Sequence, residues 1–357
     1  MNIYHTVRMG FTWGTPILSG YVSQSIDGFS NQIMIINVIQ AISVAALIFA
    51  VPETSFNRSS PPPATARASY ARFLSVTSFH AKPAKRQLFH PLKALSAPSA
   101  LLLALLAIPF TATSLGLAAT ISLLFSSMPI FLFPSRIGYL FIGPLLLALL
   151  TYSLSMVSSL FTRPSFMRSI PPAIILGASG VISFGLYVVM NLAPNIVQSN
   201  STIFALDTAG ENLSLKLVSF LFGLLVAGST LIAYSAQIYL SSVPTEAKPG
   251  SGIDGAKRML EGILQGIFII GFPGWTRMVV MSAEASAGLE GLRSTCVALG
   301  VLIIVMGSSI AMLFLVKSEM IKKRDDRVLG VGMEGEEEED EGFSVGKMGS
   351  GDSFFGA

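Results

Sequence analysis

Polar positions in this chain do not punctuate the apolar ones at a regular period. They are pushed to the ends of long uncharged runs, and the segment from Ala94 to Ser135 contains no charged side chain at all. A helix buried in a soluble core seldom runs that far without a charge, whereas a helix spanning a bilayer needs about 20 mostly apolar residues. The pattern predicts seven such spans, at 32–51, 100–127, 137–161, 171–193, 214–240, 259–281 and 293–316, and a more polar eighth at 7–26. The expected fold class is therefore an all-α membrane protein of about eight transmembrane helices.

Composition sharpens this expectation. Of the 357 residues, 52% are hydrophobic and 12% charged, about half the charged share of an ordinary soluble domain. Too few charges remain to coat a surface that meets only water. The formal net charge of +3 is too small to point to nucleic acid. A single cysteine, Cys296, excludes an intrachain disulfide and reads as a small packing residue. The first residues lack the charged region and leucine-rich core of a cleavable signal peptide.

The loops give the runs a direction. The connector 55–98 carries Arg58, Arg67, Arg72, Lys82, Lys85, Arg86 and Lys93 without one Asp or Glu, and it contains Pro61, Pro62 and Pro63. It reads as a basic, disordered linker, cytoplasmic by the excess of Lys and Arg on that side. Alternating from there, the loops with Arg163 and Arg168 and with Lys248, Lys257 and Arg258, and the tail beginning Lys317, fall on the same side. The stretches 194–213 and 282–292, with Asp207, Glu211, Glu284 and Glu290, fall on the other, where only Arg136 opposes the trend. Asn200 and Asn212 head acceptor sequons on that outer face, and Asn200 is the candidate for glycosylation because Asn212 lies close to the membrane. The chain ends in an acidic run from Glu334 to Glu341 that reads as a solvated tail. The organisation that follows is 1–54, two helices; 55–98, the linker; 99–324, six helices; and 325–357, an acidic disordered cytoplasmic tail.

Three segments carry a family resemblance. Gly10-Phe11-Thr12-Trp13-Gly14-Thr15-Pro16-Ile17-Leu18-Ser19-Gly20 resembles the antiporter motif of the fifth helix in the major facilitator superfamily, in its fungal drug:proton antiporter-like branch. Pro52-Glu53-Thr54 resembles the signature that closes the sixth helix, and Pro134 to Pro144, with Arg136, Gly138 and Gly143, resembles the start of the eighth. The resemblance implies a partial major facilitator fold: the last two helices of the N-terminal bundle, then a complete six-helix C-terminal bundle. It places the chain at the C-terminal two-thirds of such a transporter, a truncated form lacking the first four helices.

Function follows as an expectation from that resemblance. It implies a secondary transporter moving a small organic molecule by alternating access, with a proton as coupling ion, in the plasma membrane or a vacuolar membrane. The partners would be the lipid bilayer, the substrate and the proton, with no nucleic acid. The alternative is a non-transporting membrane remnant or scaffold. Sites of this kind lie near the midplane beside broken helices. The breaks expected here are Ile108-Pro109-Phe110, the stretch loosened by Gly223 and Gly228, and Gly271-Phe272-Pro273-Gly274-Trp275. The neighbouring polar and aromatic residues are Tyr187, Asn191, Tyr234, Gln237, Gln265 and Trp275, either substrate contacts or hydrogen bonds between helices. Gly10, Gly14 and Gly20 recur near helical spacing, where small residues admit a neighbouring helix, and Pro16 bends its own. Glu53 either latches to a basic loop or ends a helix at the interface, and Glu261 beside Arg258 reads as a surface ion pair. No acidic side chain takes a midplane position. No Cys/His spacing suits a metal, no loop suits a phosphate and no nucleophile has a base, so neither enzyme chemistry nor a cofactor is expected.

The orientation has a direct check. A tag placed within 55–98 is expected to be reached by antibody only after cells are permeabilised, and labelling of intact cells would reverse the topology.

Overall fold

The computed structural model describes residues 2–24, 27–50, 97–126, 132–161, 166–198, 213–242, 257–263, 266 and 285–329. Among them the structure is helical: α1 (Asn2–Val22), α2 (Gly28–Ala50), α3 (Pro98–Ser126), α4 (Pro134–Tyr139), α5 (Ile142–Phe161), α6 (Phe166–Gln198), α7 (Leu215–Ser242) and α8 (Ala285–Leu329), with a further turn or two at 257–263. Five spans among the described residues are long and apolar enough to cross a membrane: Pro98–Ser122, Pro134–Ser159, Phe166–Asn191, Leu215–Leu240 and Gly291–Ile321. The chain is an integral, multi-pass membrane protein. In α2 the apolar stretch is the shorter Ser30–Val44. The linker, the Pro52-Glu53-Thr54 signature, Asn200 and the acidic tail lie outside the described residues.

Helix boundaries depart from the expected ones for identifiable reasons. The run 137–161 is interrupted at Leu140 and Phe141. Pro144 lacks the N–H that would bond Leu140 and its ring crowds that carbonyl, so α4 stops and α5 starts anew. The new N-terminus has an orphan donor, and the Gly143 N–H donates to Ser219 Oγ on α7 at 2.8 Å. By contrast, Pro109 does not break its helix: α3 runs through it. Two expected loops are shorter than predicted, because α6 continues to Gln198 and α8 begins at Ala285, enclosing Glu290. The expected tail also begins as helix: α8 kinks at Lys317 (φ −122°, ψ 23°) and continues to Leu329.

α6 is the middle of the bundle, antiparallel to both neighbours. Against α7 the ladder of contacts runs from Phe166–Tyr239 through Gly177–Gly228 and Gly180–Leu225 to Tyr187–Ser214. Against α8 it runs from Phe166–Phe314 through Ile174–Gly307 and Ile182–Gly300 to Gly185–Cys296. α5 lies along α7 in the same direction, from Gly143–Ser219 to Ser155–Tyr234. α3 packs on α7 and α8, while α1 packs on α4 and α5 and carries α2. Phe222 of α7 collects the edges of Trp13, Phe141 and Phe184, at centroid distances of 5.7, 5.8 and 6.4 Å. Phe166, Tyr239 and Phe314 form a second aromatic cluster at one end of the bundle. Outer faces are apolar: α5 exposes Leu146, Leu150, Leu154, Val157 and Phe161 at helical spacing, as lipid-facing stripes do.

Glycines set how closely these helices approach. A Cβ on Gly143 would lie 2.1 Å from the Ser219 carbonyl oxygen, and one on Gly228 would lie 2.7 Å from the Gly177 nitrogen. Gly223 and Gly228 therefore tighten α7 against its neighbours and do not loosen it, contrary to the expectation from sequence. Overlap of that kind forces the backbone apart, at about 1–3 kcal/mol. Gly143→Ala is expected to lower thermal stability in detergent by that amount. Gly14→Ala, where a Cβ meets nothing within 4 Å, is expected to change it by less than about 0.5 kcal/mol.

Candidate functional site

The expected substrate-contacting residues separate in space. Asn191 Nδ2 donates to the Tyr187 carbonyl at 2.8 Å, one turn back on the same helix. The Tyr187 hydroxyl accepts the Ser214 N–H at 3.1 Å, satisfying a free donor just ahead of α7. Tyr234 sits far along α7, where its hydroxyl donates to the Ser155 carbonyl at 3.1 Å and its ring meets Tyr152 edge to face at 6.1 Å. From Ser214 to Tyr234 the helical rise amounts to about 30 Å. Tyr187 and Asn191 thus belong to one end of the bundle and Tyr234 and Gln237 to the other, and the four do not share a pocket. Gln265 and Trp275 lie outside the described residues. In the stretch 257–263, Glu261 pairs with Lys257 at 3.4 Å, one helical turn away.

A cavity lies elsewhere, between α1 and α2. It encloses about 400 Å³ and is lined by Val7, Gly10, Phe11, Gly14, Thr15, Leu18, Ser19 and Val22 from α1 and by Gln32, Ile35, Ile36 and Ile39 from α2. Its lining is apolar apart from a small polar corner. There Gln32 Nε2 donates to the Ser19 carbonyl at 3.0 Å, to Ser19 Oγ at 3.1 Å and to Ser23 Oγ. Thr12 and Thr15 turn their hydroxyls back to the carbonyls of Arg8 and Phe11, so the groove floor offers little polarity of its own.

The three glycines of the first motif divide between two jobs. Gly10 and Gly14 are four residues apart and face nearly the same way, while Gly20, six further on, is turned by about 120°. Gly10 and Gly14 have open space where a side chain would stand and form part of the groove. Gly20 instead meets α4: a Cβ there would be 2.5 Å from the Pro134 carbonyl and 3.0 Å from Gly138 Cα, and Gly138 in turn faces the carbonyls of Pro16 and Ile17. Gln24 Nε2 donates to Ser135 Oγ at the same crossing. Pro16 does not interrupt α1. Pro144 and Gly143 mark the α4–α5 break and its seam with α7. The groove was not legible in the sequence, because it depends on which faces of α1 and α2 meet, and Gln32 stands only at the polar edge of an apolar run, after Ser30 and Asn31.

Among the described residues no group of three or more His, Cys, Asp or Glu side chains gathers as a metal site would require. No family model, curated protein or solved structure matches the chain.

The separation of the two tyrosine groups has a measurable consequence. Tyr187→Phe and Tyr234→Phe are each expected to cost about 0.5–1.5 kcal/mol of stability. Their effects should add to within about 0.5 kcal/mol in the double variant; a larger coupling energy would place them in one network.

Proposed function

We propose that this chain is the partial core of a secondary transporter, moving a small organic molecule across a membrane by alternating access in the manner of the major facilitator superfamily. The observation that carries this reading is the meeting of two separate motif segments. Gly20 of the first crosses Gly138 of the third at backbone distance, while Trp13 and Ile17 of the same helix pack on the rest of the bundle. A glycine-on-glycine crossing is a place where two helices can shift on one another, as rocking of one bundle against another requires. The apolar groove beside it, with a Gln32 corner, suits an amphipathic organic molecule better than a small hydrophilic one. On this reading the chemistry is translocation, with no enzymatic step.

Helix directions support about eight crossings. α7 and α8 are both antiparallel to α6, so Ser242 and Ala285 lie at opposite ends of the bundle and the chain between them returns from one end to the other. That fits a crossing at 259–281. The end bearing Arg168, Lys317, Lys323 and Arg324 would face the cytosol, and the end bearing Arg136, Lys216 and Arg293 the exterior or lumen of a plasma or vacuolar membrane. The second reading, a non-transporting scaffold, draws on a different observation. Tyr187, Asn191 and Tyr234 are occupied with backbone groups and do not converge.

Flux separates the two. The full chain in proteoliposomes under an imposed proton gradient is expected to move at least one probe from a set comprising a lipophilic cation, a neutral amphiphile and an organic anion. Gly20→Leu should abolish that movement while the protein stays folded. No flux above protein-free vesicles for any of the three would leave the scaffold.

A further inference from the structure

The apolar run of α8 ends at Val316, and the next residue, Lys317, is where the helix kinks. Beyond the kink the extension folds against the beginning of α3. Ile321 and Asp325, one turn apart, are both buried, and Asp325 accepts the Ser99 N–H at 3.3 Å. A carboxylate is well placed at a helix N-terminus, where backbone N–H groups lack partners. The contact pins the extension to the bundle and leaves an open cleft of about 190 Å³ between the two helices. Pro98 and Leu102 form one wall, Leu313, Met320 and Ile321 the other, and Lys317 and Arg324 stand at its edge. The two cations are seven residues apart, about two helical turns, and so lie on one side of the extension. Neither is ion-paired among the described residues.

We propose that this cleft binds the headgroup of one anionic phospholipid. The phosphate would lie between the Lys317 ammonium and the Arg324 guanidinium, which supply a point charge and a planar fork of donors to its oxygens. The glycerol end would rest on Pro98, Leu102 and Met320. The cleft is too small for acyl chains, but its walls continue into exposed apolar surface, including Leu101, Leu313, Leu315 and Val316. That continuity selects a lipid over a free phosphate, for which the five apolar lining residues do nothing. Basic pockets between helices at the end of the apolar span are where anionic headgroups are held. The proposal rests on the membrane character of the chain and not on transport.

The test uses the full chain in neutral detergent, with its thermal midpoint measured against short-chain phosphatidylglycerol, short-chain phosphatidylcholine and inorganic phosphate. Phosphatidylglycerol is expected to raise the midpoint saturably, and the other two are not. In the combined Lys317→Ala and Arg324→Ala variant the apparent affinity should fall about thirtyfold. Lys323→Ala, exposed and outside the cleft, should leave it unchanged. Equal shifts from both lipids, or an undiminished shift in the double variant, would overturn the site. A shift of the same size from inorganic phosphate would overturn the lipid assignment. If the double variant does not fold, a photoactivatable phosphatidylglycerol must label wild-type peptides containing 98–102 or 313–324. Labelling confined to other peptides would count against the proposal.

Discussion

Helices in a bilayer gain little by hiding apolar side chains from one another, since lipid tails are equally apolar, and close packing has to supply the attraction. This bundle meets that constraint by removing side chains where helices cross. Gly143 and Gly223 bring α5 and α7 together, Gly177, Gly180 and Gly228 bring α6 and α7 together, and Gly185, Gly300 and Gly307 accept Cys296, Ile182 and Ile174 across the α6–α8 seam. With backbones this close, one added methyl group would lie inside a neighbour's carbonyl. The aromatic clusters around Phe222 and Phe166 then fill the wider gaps between the seams.

The same scarcity of partners governs the polar groups. A hydroxyl within the apolar spans has to find an acceptor locally, and most turn back to their own helix: Thr113 to Pro109, Thr120 to Gly116, Thr230 to Val226 and Ser235 to Leu231. Three of the bonds that join helices sit where a backbone group would otherwise be orphaned. Ser219 serves the first turn of α5, Tyr187 serves the Ser214 N–H, and Asp325 serves the start of α3. Polar residues in such a bundle first answer to the backbone, and only those left over can line a path. This explains why tyrosines that look like substrate contacts are engaged with main chain.

Where a helix lies in this chain was plain from uncharged length, because that property decides whether a segment can remain in hydrocarbon at all. Each of the five described spans overlaps one expected from pattern. Boundaries were less legible, since a helix can extend past the apolar run into interfacial residues: α8 carries Lys317 to Leu329 as helix although polarity changes at Val316. Proline was ambiguous for a similar reason. Pro109 is carried inside α3 and Pro144 ends a turn, and the difference is that Ser219 stands ready to take the freed N–H beside Pro144. Glycine was the least legible. Gly223 and Gly228 invited a reading as flexible points, yet what a missing side chain does depends on what faces it, and that information lies on another helix.

The glycines of α1 make the point most sharply, because one helix contains both outcomes. Gly20 faces α4 and is filled by the Pro134 carbonyl and Gly138, whereas Gly10 and Gly14, turned about 80° and 120° away, face open groove. α1 meets the larger bundle through Gly20 on Gly138 and through Trp13, buried against Phe222. The seams inside the bundle differ in kind: α6 is clasped by α7 and α8 along nearly its whole length, with glycine contacts at several levels. Displacing α6 would break all of those at once, whereas displacing α1 would part Gly20 from Gly138 and withdraw Trp13 from Phe222. The place where the two glycine-bearing motifs meet is thus a backbone-close crossing of α1 on α4, backed by the buried Trp13 indole.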